Sequence, residues 1–140
     1  PRDPRRDGEG RAVSRLMSVA FTEQAVIERR KTVTRRKGWL FVKPGDRLTL
    51  CRKVMGRKPG EPLVRIAEVE VVHVQRHRLG ELLTCDPQEA REEMSCEGFP
   101  GMDPMRFIDK FFIAAQGVMP ADEVTRIEWR YLDSEAGESR

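Results

Sequence analysis

Long apolar runs are missing from this sequence. The longest uncharged stretch lies between Lys110 and Asp122 and is about half of what a membrane-spanning helix needs. The first eleven residues carry ionised side chains of both signs and no large apolar one, unlike the apolar centre of a signal peptide. Neither a membrane span nor secretion is therefore expected. Cysteine is scarce: Cys51, Cys85 and Cys96 cannot all pair within one chain. Free thiols in a reducing compartment, the cytoplasm, are the expectation. Histidine is scarcer still, with His73 and His77 alone. A spacing of four suits a shared metal on a helix, but on a strand it separates the two by about 13 Å. Cys85 and Cys96 lack any CxxC partner. Glycine-rich phosphate loops and a GxSxG nucleophile elbow are absent as well. No metal and no cofactor are expected.

What the sequence has is charge. Of 140 residues, 35% are Asp, Glu, Lys or Arg and 39% are hydrophobic, the balance of one globular domain with a charged exterior. The net charge of +3 hides an asymmetry. Residues 1–60 hold seventeen Lys and Arg against six Asp and Glu, whereas residues 61–140 hold nine against seventeen. A basic half beside an acidic half steers polyanions, for which nucleic acid or a nucleotide-like ligand is the usual reading. The alternative is that the halves fold together and their fields partly cancel.

Residues 1–16 mix Pro, Gly and Arg without an apolar period and read as a disordered basic tail. A single domain is expected over 17–132, with a frayed tail at 133–140. Thr22 reads as the N-cap of a short helix running to about Arg30. Lys31 to Arg36 leans towards strand. Lys43-Pro44-Gly45-Asp46 predicts a turn that launches a strand over 47–52. Two glycines and two prolines make 55–62 a loop. A strand is predicted over 63–74, with Ala67, Val69 and Val71 on one face, and a helical turn over 79–84. Asp86-Pro87-Gln88-Glu89 has the form of a capped helix start, predicting a helix over 87–94. Asp103-Pro104 starts another, which carries Phe107, Ile108, Phe111 and Phe112 and stops at Gly117. A last strand over 123–132 places Thr125, Ile127, Trp129 and Tyr131 on one face. The sum is an α+β domain on a small β-barrel with inserted and flanking short helices.

The densest chemistry is Arg29 to Lys37, RRKTVTRRK, with six cations and two threonines. One reading is a solvated basic surface. The other is functional: neighbouring cations lower a lysine pKa, and a neutral Lys31 could take the proton from the Thr34 hydroxyl and so make it a nucleophile. On a regular strand residues three apart face opposite sides, so this pairing needs an irregular or helical approach to the strand.

Lys31-x-x-Thr34-x-Arg36 after a short helix, followed by a Pro-Gly-Asp turn into a hydrophobic strand, resembles the ASCH domain. Glu97-Gly98-Phe99, the Phe-rich helix and the last strand are similar to that family too. The resemblance covers about residues 17–132. Arg29 stands where the GxKxxTxR signature has glycine. The family implies a PUA-like β-barrel whose cleft takes RNA or a modified nucleoside. One bacterial branch hydrolyses the amide of N4-acetylcytidine with a Lys, a Thr and a Glu, which carry over to Lys31, Thr34 and Glu97. Arg30, Arg35, Arg36 and Lys37 are the expected RNA or ligand contacts. Trp39 and Phe99 are candidates for a flat wall against a base, and Phe41 reads as core. The enzymatic reading competes with a non-catalytic RNA-binding module and with a ribonuclease; no membrane partner is expected.

Overall fold

The computed structural model describes residues 14–132. The tail expectations over 1–13 and 133–140 fall outside the described residues. Five strands form one mixed sheet in the order β1-β3-β4-β5-β2. Strand β1 (Ser14–Ser18) runs parallel to β3 (Arg47–Cys51). β3 pairs antiparallel with β4 (Arg65–Arg78), β4 with β5 (Glu123–Tyr131), and β5 with β2 (Val33–Arg36). Ser14, Arg15 and Leu16, expected in the tail, belong to β1, where they pair with Arg47, Leu48 and Thr49.

The alternation of β5 survives folding: Thr125, Ile127, Trp129 and Tyr131 are buried, and Arg126, Glu128 and Arg130 are less so. β3 follows the expected turn. Asp46 N–H donates to the Lys43 carbonyl at 3.1 Å, and Gly45 takes φ +96°, the conformation that a turn of this type needs at its second corner. Leu48, Leu50, Val69, Val71, Ile127 and Trp129 meet Met17 of β1 in the larger core. Each such aliphatic side chain contributes roughly 1.5–3 kcal/mol on full burial.

The expected barrel is not closed. β1 and β2 are the two edges of the sheet, and no ladder joins them among the described residues. The chain leaves β1 through a 3₁₀ turn (Ala20–Thr22) and helix α1 (Glu23–Ile27), then returns as β2 on the far edge beside β5. One side chain links the edges: Arg36 Nη2 donates to the Ser18 carbonyl at 2.6 Å.

A helical layer holds a second core. A 3₁₀ turn (Leu79–Leu83) leads into α2 (Pro87–Glu97). The Asp86 carboxylate accepts from the Gln88 and Glu89 amides at 3.0 and 3.2 Å, the cap that the sequence predicts. Helix α3 (Pro104–Ile108) passes through a π turn (Asp109–Ile113) into α4 (Ala114–Gln116), which Gly117 ends at φ +69°. Leu79, Leu82, Met94, Phe107, Ile108 and Phe112 pack together here.

Phe41 is not core. Gly38 and Trp39 both take positive φ, +83° and +51°, and the reversal leaves Leu40 and Phe41 facing solvent. Phe41 is 45% exposed, with the Arg15 guanidinium 4.2 Å from its ring centre. Trp39 packs against the sheet core instead. No helix among the described residues is long and apolar enough to cross a membrane.

Candidate active site

The site begins at the end of α1. Arg30 N–H donates to the Ala25 carbonyl at 2.8 Å and Arg29 N–H to that of Val26 at 3.0 Å. Arg29 between them takes φ +61°. This is the left-handed termination that favours glycine, which gives the glycine of the GxKxxTxR pattern a physical reason. Here the arginine fills it, donating from Nη1 to the Val26 carbonyl at 2.9 Å and lying 5.1 Å from the Tyr131 ring centre. Because α1 ends this way, Lys31 precedes β2 rather than lying in it. The irregular approach that the Lys31–Thr34 pairing requires is present.

Glu97 comes from the other side, as the last residue of α2. Gly98 after it takes φ +100°, and a Cβ there would sit 3.2 Å from both Ala25 Cβ and Thr22 Cγ2. Glycine therefore lets the end of α2 lie directly on α1. Thr32 N–H donates to the Cys96 carbonyl at 2.9 Å, tying the approach of β2 to the same helix end.

The two sides meet in a buried ionic network. Lys31, 3% exposed, donates from Nζ to the Glu97 carbonyl at 2.7 Å and to Glu97 Oε1 at 3.2 Å. The Lys31 carbonyl is itself held by Trp129 Nε1 at 3.1 Å and by the Tyr131 hydroxyl. Burial pushes the Lys31 pKa down, the Glu97 carboxylate raises it, and the Arg36 and Arg35 cations lower it again; the outcome is a lowered value. Arg35, also buried, donates from Nη1 to Glu97 Oε2 at 2.8 Å, from Nη2 to Glu93 Oε1, and from Nε to His77 Nε2 at 3.1 Å. Burial also lowers the pKa of Arg36, whose Nε donates to Thr34 Oγ1 at 3.1 Å.

This network floors a cavity of about 210 Å³. Lys31, Thr34, Arg35, Arg36 and Glu97 give it a polar side, and Phe21, Phe99 and Phe111 an apolar one. Phe99 and Phe111 stack with ring centres 4.6 Å apart, and Phe21 lies 5.2 Å from Phe111. The volume is under the roughly 300–1,000 Å³ of pockets for drug-sized ligands, so one planar ring with a short substituent fits it better than an oligomer. A hydroxyl, a buried amine of lowered pKa and guanidinium donors beside flat rings can supply a nucleophile, take up a proton and hold a developing negative charge next to a planar apolar group.

The structure thus brings Lys31, Thr34, Glu97, Arg36 and Phe99 to one cavity. Arg35 reaches the cavity wall, and three of its five N–H donors go to Glu93, Glu97 and His77. Arg30 and Lys37 lie off the cavity on the surface: Arg30 Nε bonds Glu28 at 2.6 Å and Lys37 Nζ lies 4.0 Å from Asp122. Trp39 does not line the cavity. Sequence reasoning missed Phe21 and Phe111 as walls, and the group of Glu93, Arg126 and His77 behind Arg35. Glu93 carried a signal, because it lies four residues before Glu97 and so on the same helix face. Arg126 Nε and Nη2 bond the Glu93 carboxylate at 2.8 and 3.0 Å.

No family model matches the chain, and no curated protein does. Among solved structures the chain is similar to the hypothetical protein PH0355, at 16% identity and a TM-score of 0.55 over 86% of this chain and 100% of that one. It is similar to protein EF3133 from Enterococcus faecalis V583 (DUF984), at 13% identity and a TM-score of 0.54 over 80% of this chain and 70% of the other. It is also similar to ASCH from Zymomonas mobilis, at 14% identity and a TM-score of 0.49 over 82% of this chain and 65% of that chain. The likeness to PH0355 and to EF3133 is one of fold. The chain spans about two thirds of the length of the Zymomonas protein.

Proposed function

We propose that this chain is an ASCH-type hydrolase of the amide of N4-acylated cytidine, working in the 210 Å³ cavity. The observation that carries the reading is a buried lysine of lowered pKa sharing that cavity with the Thr34 hydroxyl. In this reading the base stacks on Phe99 and Phe111, a contact worth about 1–3 kcal/mol per base. Neutral Lys31 takes the Thr34 proton as Oγ1 attacks the acyl carbon. Arg36 steadies the oxyanion. The carbon–nitrogen bond then breaks, the leaving N4 takes the proton from Lys31 and departs as the amine of cytidine, and water hydrolyses the acyl-threonine to the free acid and threonine. Glu97 orients Lys31 throughout. The sheet, on this view, is a PUA-like barrel left open between β1 and β2, where Arg36 reaches across to Ser18, and the cytoplasm is the compartment for such a substrate.

The test is chromatography of N4-acetylcytidine incubated with the protein. Cytidine should appear with the parent and fall at least about a thousandfold with Thr34→Ala, a loss in the range reported for triad members acting as a unit. Cytidine formed equally by Thr34→Ala would remove threonine from the mechanism.

A second reading, a binding module without turnover, has one observation in its favour. The Lys31 amine donates to Glu97 and the Thr34 hydroxyl accepts from Arg36, so each is committed to a partner other than the one the hydrolase reading gives it. RNA binding in that case would weaken steeply with salt, whereas turnover of a neutral nucleoside would not.

A further inference from the structure

Behind Arg35 lies a second hollow, a cleft of about 630 Å³ into which His77, His73, Glu81, Glu93, Arg126 and Glu128 project. His77 has both ring nitrogens committed. Its Nε2 faces Arg35 Nε at 3.1 Å, and arginine can only donate, so Nε2 must accept. Its Nδ1 lies 2.7 Å from the Arg78 carbonyl, which can only accept, so Nδ1 must carry the proton. The pair of bonds defines one neutral tautomer.

We propose that His77 is a positioning residue: its neutral imidazole holds Arg35, and Arg35 in turn fixes which oxygen of Glu97 faces Lys31. Arg35 Nη1 holds Glu97 Oε2, which leaves Oε1 for the lysine. Protonation of His77 replaces the acceptor at Nε2 with a donor opposite a donor and adds a positive charge beside two arginines. Arg35 then loses its Nε partner, and the Glu97 carboxylate loses its fixed orientation. Because His77 opens on the cleft, a proton reaches it from solvent without entering the cavity.

The groups facing the imidazole come from every element around it. Arg35 of β2 and Arg126 of β5 oppose protonation. Glu81 of the 3₁₀ turn, 3.9 Å from Nδ1, favours it, as do the cleft carboxylates Glu89 and Glu93 of α2 and Glu128 of β5. His73 lies on the same strand, and the Cys85 thiol on the cleft wall. Burial and then the Arg35 charge, partly offset by the Arg78 carbonyl and Glu81, hold the His77 pKa below its ordinary 6.5. The imidazole is therefore still neutral at 6.5, and the arrangement is lost only as pH falls through the lowered pKa.

The proposal rests on the hydrolase reading for its kinetic consequence but has a readout that does not. The experiment measures the pH profile of kcat on N4-acetylcytidine for the parent, His77→Gln and His77→Leu, beside ¹⁵N NMR of the histidine rings and of Arg35 Nε in free protein. A glutamine carbonyl accepts from Arg35 at every pH. Protonation of the Lys31 base gives every variant one acid limb; the parent should show a second, at the midpoint of the His77 titration, that His77→Gln lacks, and His77→Leu should drop kcat by roughly tenfold with KM little changed. In the spectra, the Arg35 Nε signal should move with the midpoint of the His77 titration. A second acid limb kept by His77→Gln, or an Arg35 signal indifferent to His77, would overturn the proposal. If His77→Leu does not fold, the glutamine variant decides. If no substrate turns over, the hydrolase reading fails by itself, and the coupling of the two NMR signals still upholds or overturns the role of His77.

Discussion

Arg35 stands between two hollows of opposite character. On one side is the smaller cavity, with phenylalanine walls and the Lys31–Thr34–Glu97 floor; on the other is a cleft three times its volume, lined by carboxylates, histidines and Arg126. The larger hollow is the less suited to chemistry on a base, because no Phe, Tyr or Trp side chain lines it and it holds no buried lysine. The smaller one joins flat apolar surface to an amine that burial makes easy to deprotonate. Size is a poor guide here, and the kind of side chain on the wall is a better one. The comparison also gives the two acidic residues of α2 different work: Glu97 is 2% exposed and faces the cavity lysine, and Glu93 clamps two arginines at the cleft.

The sharpest way to break this comparison is to remove the carboxylate that serves the cavity. Glu97→Ala leaves Lys31 and Arg35 buried without their shared counter-charge. Stripping one partner from a buried ionic group costs about 3–5 kcal/mol, so a urea unfolding curve should shift by that amount. A shift under about 1 kcal/mol, the size of an exposed ion pair, would mean that water reaches the network and that Lys31 is not desolvated.

The cleft side predicts an effect that depends on pH. Burial alone would raise the Glu93 pKa, but hydrogen bonds from Arg126 and Arg35 outweigh it and hold the value at about 2, against an ordinary 4.5. A carboxylate depressed in the folded state stabilises above its ordinary pKa and loses that contribution as pH falls from 4.5 to about 2. The full contribution is of order 3 kcal/mol. Glu93→Gln should therefore be less stable than the parent at neutral pH, and the two should converge near pH 2. A gap between them that stays constant from pH 6 to pH 2 would sink the assignment.

What could be read in the sequence follows from how local each signal is. The Asp86 cap, the Pro44-Gly45 turn and the alternation of β5 depend on neighbours along the chain, and the fold keeps all three. The end of β4 was not legible: Gln75-Arg76-His77-Arg78 is polar on both faces, so no period marks its continuation beyond residue 74. The fate of Arg35 was not legible either, because its carboxylate partner at the cavity lies 62 residues away and the basic run around it looks like surface. Phe41 was misread because apolar composition, without the positive φ of Gly38 and Trp39, gives no sign that the chain turns outward. The cavity residues Lys31, Thr34 and Glu97 came from a motif, and their irregular geometry could not have come from strand periodicity.

The smallest expected effect lies at Arg29, and its sign is informative. Glycine adopts φ near +60° without the roughly 1–2 kcal/mol that a side chain costs there, so Arg29→Gly relieves strain at the end of α1. Against that, it removes the Nη1 bond to the Val26 carbonyl and the contact with the buried Tyr131 ring, a cation–π interaction of about 0.5–2 kcal/mol. The two nearly cancel, and the melting temperature should move by only a few degrees in either direction. Lys31 should stay where it is, because the Ala25 and Glu97 carbonyls and the indole and hydroxyl on its own carbonyl hold it independently of the Arg29 side chain. Hydrolysis by Arg29→Gly at the parent rate would show that the glycine of the signature serves the backbone alone. A tenfold loss would make the arginine part of the site, and the end of α1 would then belong to the chemistry as well as to the fold.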